Sequence, residues 1–260
     1  MIKGDQIHFE LELDQTLRQQ KPVAHQVLVG EPGSSILSRG EQSWVGYGAR
    51  DCPTNFYRFA KRMIDLTIAG LGFILCLPLL IVIAMLIKLD SPGPVIFRQI
   101  RIGKNRRFHN NGHLRNCRNG DLKGKPFEIY KFRTMRQESD CYAISPQDEN
   151  DNRLTRVGRI IRAYCLDELP QLINVLKGDM SLVGPRPEMP FIVAKYGRLE
   201  LLRLTVKPGI SGLWQLYGSR SKAIHENLQY DLDYIKNRSL KLDIKIMLRT
   251  IIFIGGSKNV

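Results

Sequence analysis

A chain of 260 residues with 43% hydrophobic content is long enough to bury a core, and its composition excludes collagen-like, coiled-coil and wholly disordered architectures. Its 39 Lys and Arg against 25 Asp and Glu leave a net charge of +14, which calls for an anionic partner: a nucleic acid, a lipid surface or a phosphorylated substrate. Five scattered cysteines (Cys52, Cys76, Cys117, Cys141 and Cys165) form no C-x-x-C pair, so neither a disulfide framework nor a zinc ribbon is indicated and a reducing, cytoplasm-facing location fits best.

Residues 1–57 are polar and dotted with Gly30, Gly33, Ser34 and Ser35, and they read as a separate extension. Their single candidate strand is the alternating patch from Gln6 to Leu13, and no apolar run among them suits a secretory signal. Between Asp65 and Lys88 lie 22 residues without a charge, LTIAGLGFILCLPLLIVIAMLI. As a helix this segment is about 33 Å long, the thickness of a bilayer core. Pro78 in its middle removes one N–H and disfavours helical dihedrals at Leu77, which predicts a kink or a break. A straight span and a re-entrant hairpin are both open on these grounds. Lys61 and Arg62 before the segment and Lys88 after it make the flanks alike, and that favours the hairpin.

Arg98 to Arg136 carries twelve Lys and Arg and only Asp121 and Glu128, an excess of +10 directly after the apolar segment. Its position favours lipid or phosphate over nucleic acid. Two short helices follow, one through Leu154, Val157, Ile160, Ile161 and Tyr164 and one through Leu169, Leu172, Ile173 and Leu176. In the LDELP stretch between them, Asp167 is placed as an N-cap with Pro170 in the first turn, and Gly178 closes the second helix. Ser239 to Ile254 predicts an amphipathic helix with Lys241, Lys245 and Arg249 on one stripe, suited to a lipid interface.

The chemistry concentrates around Asp167 and Glu168. A helix N-terminus supplies orphan N–H groups that favour ionised carboxylates, and an ionised Asp is a usable nucleophile. Lys131 and Arg133 in KFRTM, Arg162, and Arg186 between two prolines in GPRP offer phosphate-binding cations. Singly these are surface charges; together they point to phosphoryl transfer.

The motifs KRMIDLTIAG, GPVIFRQIRIGKN, FEIYKFRTM, LDELPQLINVLKGDMSLVGPRP, KPGISGLWQ and YDLDYIKNRSLKLDIKIM resemble, in order, the monotopic phosphoglycosyl transferases, or bacterial sugar transferases, over about residues 58–255. The resemblance implies that the broken segment is a re-entrant membrane helix. It further implies that Asp167 and Glu168 are catalytic with a magnesium ion, for which Asp167 is the candidate ligand; Lys131, Arg133, Arg162, Arg186 and, beside Trp214, Arg220 are the candidate substrate- or phosphate-binding cations by residue type. The implied reaction moves a sugar 1-phosphate from a UDP-sugar to a polyprenyl (undecaprenyl) phosphate and releases UMP, at the cytoplasmic face of a bacterial inner membrane. It is the initiating step of exopolysaccharide assembly, and the implied partners are both substrates and anionic lipid, with no nucleic acid.

The expected fold class is mostly α with little β: a re-entrant membrane helix and interfacial amphipathic helices around a small catalytic domain. Its parts are the polar extension 1–57, the membrane region 58–90 and a transferase domain 91–255. Two departures from the family pattern stand out. The stretch Arg106 to Lys123 reads as an inserted basic loop, whose His109, His113 and Cys117 sit among too many cations for a structural zinc. The extension has no multi-span hydrophobic region such as larger members carry. Trp214 is expected to pack, with stacking on a uracil as the functional alternative. The rival class is a non-enzymatic, membrane-tethered polyanion binder, which leaves LDELP and GPRP without a role.

Overall fold

A computed structural model describes residues 54–105, 123–136, 146, 151–217 and 228–256. The extension 1–57 apart from its last four residues, most of the 106–123 insert with its His and Cys residues, and Arg220 lie outside the described residues. The first element, α1 (Asn55–Asp90), begins at Thr54, whose hydroxyl accepts from the Tyr57 N–H at 3.2 Å. It runs 36 residues without interruption through Pro78, so the break expected there is absent and at most a bend within one helix remains. Packing supplies the reason: beyond the proline, Leu80, Ile83 and Ile87 are buried against Phe132 and Ile161, and that contact holds the second half helical.

Both ends of the apolar segment are fastened to the same body. At the leading end, Arg62 donates to the carbonyls of Val175 (2.7 Å) and Leu176 (3.0 Å), and the buried Asp65 carboxylate accepts from the Ser181 hydroxyl and the Leu182 N–H, each at 3.0 Å. At the trailing end, Asp90 accepts from the Val157 N–H at 2.9 Å. Between these anchors one side of α1 stays bare, with Leu71, Ile74, Leu75, Ile81 and Met85 each more than half exposed.

The body is mostly helical around two small sheets. Strands β1 (Ile96–Ile102) and β2 (Pro126–Phe132) pair antiparallel, Ile96 opposite Phe132 and Ile102 opposite Pro126, so the basic stretch is in part a hairpin flanking the insert. Helix α2 (Arg156–Ala163), capped by the Thr155 hydroxyl, precedes a 3-10 turn (Leu166–Gln171) and α3 (Leu172–Lys177), which Gly178 closes at φ 85° as expected. Then come β3 (Ser181–Val183), α4 (Pro190–Ala194), a second 3-10 turn (Glu200–Thr205), and β4 (Gly209–Ser211), parallel to β3. Helices α5 (Leu213–Tyr217), α6 (Leu228–Asn237) and α7 (Leu240–Gly256) complete the described chain. The main core joins Ala69 of α1 to Val175, Met180, Val183, Tyr234 and Ile246. Truncating a residue such as Ile246 to Ala is expected to cost about 2–5 kcal/mol.

Candidate active site

Two features press the LDELP turn against β2. Cys165 stands in the left-handed region at φ 54°, which turns the chain sharply between α2 and the 3-10 turn. Asn174, fully buried in α3, accepts from the Tyr130 N–H at 3.1 Å and donates to the Glu128 carbonyl at 2.6 Å, so its amide extends the β2 hydrogen-bond ladder into the helix. Sequence reasoning passed over Asn174; the available signal was a side chain that competes for backbone hydrogen bonds inside a helical stretch.

Asp167 is not an N-cap. It sits in the first turn of the 3-10 helix behind Cys165, no side chain caps that turn, and Pro170 lies near its end rather than in the first turn of α3. The carboxylate is thereby released from backbone duty. Lys131 reaches across from β2, its Nζ 2.6 Å from Glu168 Oε1 and 3.9 Å from Asp167 Oδ2. Arg186 brings Nη2 to 2.9 Å from the same Glu168 oxygen. Both close contacts go to Glu168, and among the described residues Asp167 accepts no hydrogen bond.

That asymmetry separates the two acids. Burial pushes both carboxyls up, but Arg186 and Lys131 outweigh it at Glu168 and hold that group well below the usual carboxylate range. At Asp167, burial dominates: Lys131 opposes it only from a distance, the Glu168 charge adds to it, and the value rises to about 6. Arg162 interacts electrostatically with both acids while its Nη2 donates to the Pro146 carbonyl at 3.0 Å. Lys131, Arg162, Arg186, Asp167 and Glu168 therefore converge on one partly open site.

Arg133 does not join them. It is 6% exposed and points the other way, donating to the carbonyls of Pro92 and Ser91 (2.7 Å) and to the Ser91 hydroxyl (2.9 Å), where it braces the end of α1. Alternation alone would put residues 131 and 133 on one face of a continued strand, but β2 ends at Phe132 and the Arg133 side chain reaches the end of α1 instead. The Trp214 ring faces the Arg186 guanidinium at 5.9 Å, so its described role is packing against an active-site cation. Gly184, which opens the GPRP loop, has no room for a side chain, since a Cβ would lie 2.4 Å from the Lys207 carbonyl oxygen.

The family model described as "Bacterial sugar transferase" matches residues 56–256. The chain belongs to the bacterial sugar transferase family. It is 42% identical over 205 residues to the UDP-N-acetylgalactosamine-undecaprenyl-phosphate N-acetylgalactosaminephosphotransferase of Aeromonas hydrophila, covering 76% of this chain and 44% of that protein. It is also 42% identical over 199 residues to the UDP-glucose:undecaprenyl-phosphate glucose-1-phosphate transferase of Caulobacter vibrioides, covering 74% of this chain and 68% of the relative. Against the sugar transferase EpsL of Bacillus subtilis the identity is 40%, over 74% of this chain and 85% of the relative. The chain thus spans between about half and most of the length of these proteins. The sugar transferase match takes in α1 and α7 together with the Asp167–Glu168 turn, so the long apolar helix is part of the family unit rather than an added anchor.

Proposed function

We propose that this protein transfers a sugar 1-phosphate from a UDP-sugar to undecaprenyl phosphate and releases UMP, at the cytoplasmic face of a bacterial inner membrane. The observation that carries the reading is the division of labour between the two acids. Glu168, ionised and shared by Lys131 and Arg186, fixes two cations where a diphosphate would lie, and Asp167 beside it keeps a carboxylate whose ion pair with Lys131 is as long as 3.9 Å.

In the first half-reaction an Asp167 oxygen attacks the phosphorus that bears the sugar, the bond from that phosphorus to the UMP oxygen breaks, and UMP leaves with the electron pair. In the second, an oxygen of undecaprenyl phosphate attacks the same phosphorus and the Asp167 carboxylate departs unchanged. Lys131, Arg162 and Arg186 offset the repulsion between an anionic nucleophile and an anionic diphosphate. Glu168 acts by holding Lys131 and Arg186 in place, not by carrying a proton.

The donor set is compatible with Mg²⁺: no cluster of three or more His, Cys, Asp or Glu exists among the described residues, and a single open carboxylate plus substrate phosphates and water is how Mg²⁺ is commonly held. Asp167 would be its protein ligand, and the ion when bound supplies further charge neutralisation on the diphosphate.

We also read the apolar segment as entering and leaving one membrane face. A straight span would set its ends on opposite sides of a core about 30 Å thick, whereas Asp65 and Asp90 are each hydrogen-bonded to the same body. The exposed face of α1, and Ile244, Leu248, Ile251 and Ile252 exposed on α7 beside Lys241 and Lys245, suit lipid and its headgroups. Cysteines placed at Arg58 and Lys88 should both resist an impermeant thiol reagent applied from outside; labelling of one alone would establish a span.

The relatives at equal identity are named for different sugars, so the donor is found by experiment. Incubating the purified protein with undecaprenyl phosphate and a panel of UDP-hexoses and UDP-N-acetylhexosamines should release UMP with at least one of them. Donor alone should leave a sugar phosphate on the protein, visible by intact mass. No UMP from any donor would return the chain to the membrane-tethered binder.

A further inference from the structure

Arg186 meets Glu168 from a loop, and a loop guanidinium is only as well placed as its backbone. Three successive carbonyls of that loop are taken by donors from two elements, the second 3-10 turn and β1. The Arg186 carbonyl accepts from Arg203 Nη2 at 2.9 Å, the Pro187 carbonyl from Arg101 Nη1 at 3.2 Å, and the Glu188 carbonyl from the Ile102 N–H at 2.9 Å. Of these, Arg203 is the most thoroughly fixed. Its side chain is 3% exposed, its Nε donates to Asp231 Oδ2 at 2.7 Å, and its Nη1 donates to the Tyr196 hydroxyl and lies 3.7 Å from Glu188 Oε1.

A guanidinium has five donors in a rigid plane, so fixing two edges of it aims the third. Asp231 and Glu188 neutralise a cation that burial would otherwise expel, and the remaining edge falls on the carbonyl of the residue that reaches the active site. Simple charge burial accounts for the Arg203–Asp231 pair but not for the donor turned onto Arg186.

We propose that Arg203, clamped by Asp231 from α6 and by Glu188, is a positioning residue that aims Arg186 through its main-chain carbonyl. Loosening the clamp moves the Arg186 guanidinium away from Glu168 and from the donor diphosphate. This rests on the reading of Arg186 as a donor-binding cation given above.

The test is a double-mutant cycle read by binding rather than turnover, with UDP and MgCl₂ as the probe and thermal melting recorded in parallel. Arg186→Gln alone should weaken UDP about tenfold, the scale of one hydrogen bond to a charged group. Arg203→Lys keeps the charge but not the planar fork, and should weaken UDP by a similar factor; in the Arg186→Gln background it should add nothing. Should Arg203→Lys not fold, Asp231→Asn, which preserves volume, takes its place in the same cycle. Ser181→Ala, which loosens Asp65 on α1, serves as the destabilised control and should leave UDP affinity unchanged. Multiplying effects of Arg203→Lys and Arg186→Gln, or an Arg203→Lys protein with wild-type affinity, would overturn the positioning role while leaving the proposed reaction standing. An Arg186→Gln protein with wild-type affinity would overturn the donor-binding reading of Arg186 itself.

Discussion

Two ion clusters in this protein each hold a pair of acids among cations, and they resolve the balance differently. In one, Glu188 and Asp231 face Arg101 and Arg203: Asp231 is paired with Arg203 at 2.7 Å, and Glu188 lies 3.7 Å from Arg203 and 4.0 Å from Arg101. In the other, Lys131 and Arg186 both converge on one oxygen of Glu168, and Asp167 is left with a cation no nearer than 3.9 Å. The first cluster is matched and holds a loop in place. The second is matched to one acid only, and the other acid, Asp167, is left without a close cation. Chemistry is expected at the mismatch, because a carboxylate already spent on two guanidinium or ammonium contacts is a poor nucleophile.

The strongest way to break this contrast is Asp167→Asn. It should lower UMP release by about three orders of magnitude or more, as loss of a nucleophile does elsewhere. Stability should move the opposite way. The folded-state value of about 6 lies above the ordinary 3.8, so ionising Asp167 opposes folding; that cost is absent below about pH 4 and complete above about pH 6. At pH 8 the Asn variant should therefore melt at the same temperature as the parent or higher. A marked fall in Tm would show that Asp167 carries structure after all.

Next in size is the pH dependence. Donor consumption needs ionised Asp167, so at limiting Mg²⁺, before the cation competes with protons for this carboxylate, UMP release should fall about tenfold per pH unit below about 6 and level off above it. Glu168, held low by its two cations, should add no limb in that range. A limb near the ordinary carboxylate value would assign the nucleophile's role to a carboxylate with a normal pKa.

Arg133 and Arg186 sharpen the comparison at a smaller scale. Arg133→Gln should cost stability, on the order of 1–3 kcal/mol for the Ser91 and Pro92 carbonyls just past α1 that it leaves unsatisfied, with donor affinity unchanged. Arg186→Gln should weaken the donor with little change in Tm. Equal donor defects in the two variants would place Arg133 at the substrate. The smallest effect belongs to α7: Lys241→Gln with Lys245→Gln should weaken binding of the whole protein to anionic vesicles about fivefold per charge, and leave neutral vesicles unaffected.

Much of this was legible in the chain itself. A run of 22 uncharged residues makes a membrane-length helix wherever it is placed, because nothing in it interrupts backbone hydrogen bonding except one proline. The helix end at Gly178 was equally readable, since a left-handed closing residue favours glycine locally. The four groups Lys131, Arg162, Arg186 and the Asp167–Glu168 pair were named from residue type and motif order, and they meet.

Other features needed the tertiary fold, because each depends on contacts between residues far apart in sequence. Pro78 does not break α1 because Ile83 and Ile87 pack on β2 and α2. Arg133 resembles Lys131 as a basic residue two positions on, yet the Ser91 and Pro92 carbonyls hold its side chain at the α1 terminus. Asp167 read as a cap until Cys165 took the left-handed turn and Asn174 stitched α3 to β2. Composition supplied the carboxylates and cations; which acid is satisfied and which is left reactive was decided by the distances of Lys131 and Arg186, groups brought in from 37 and 18 residues away in sequence, because electrostatic preference in a partly buried site follows separation in space and burial.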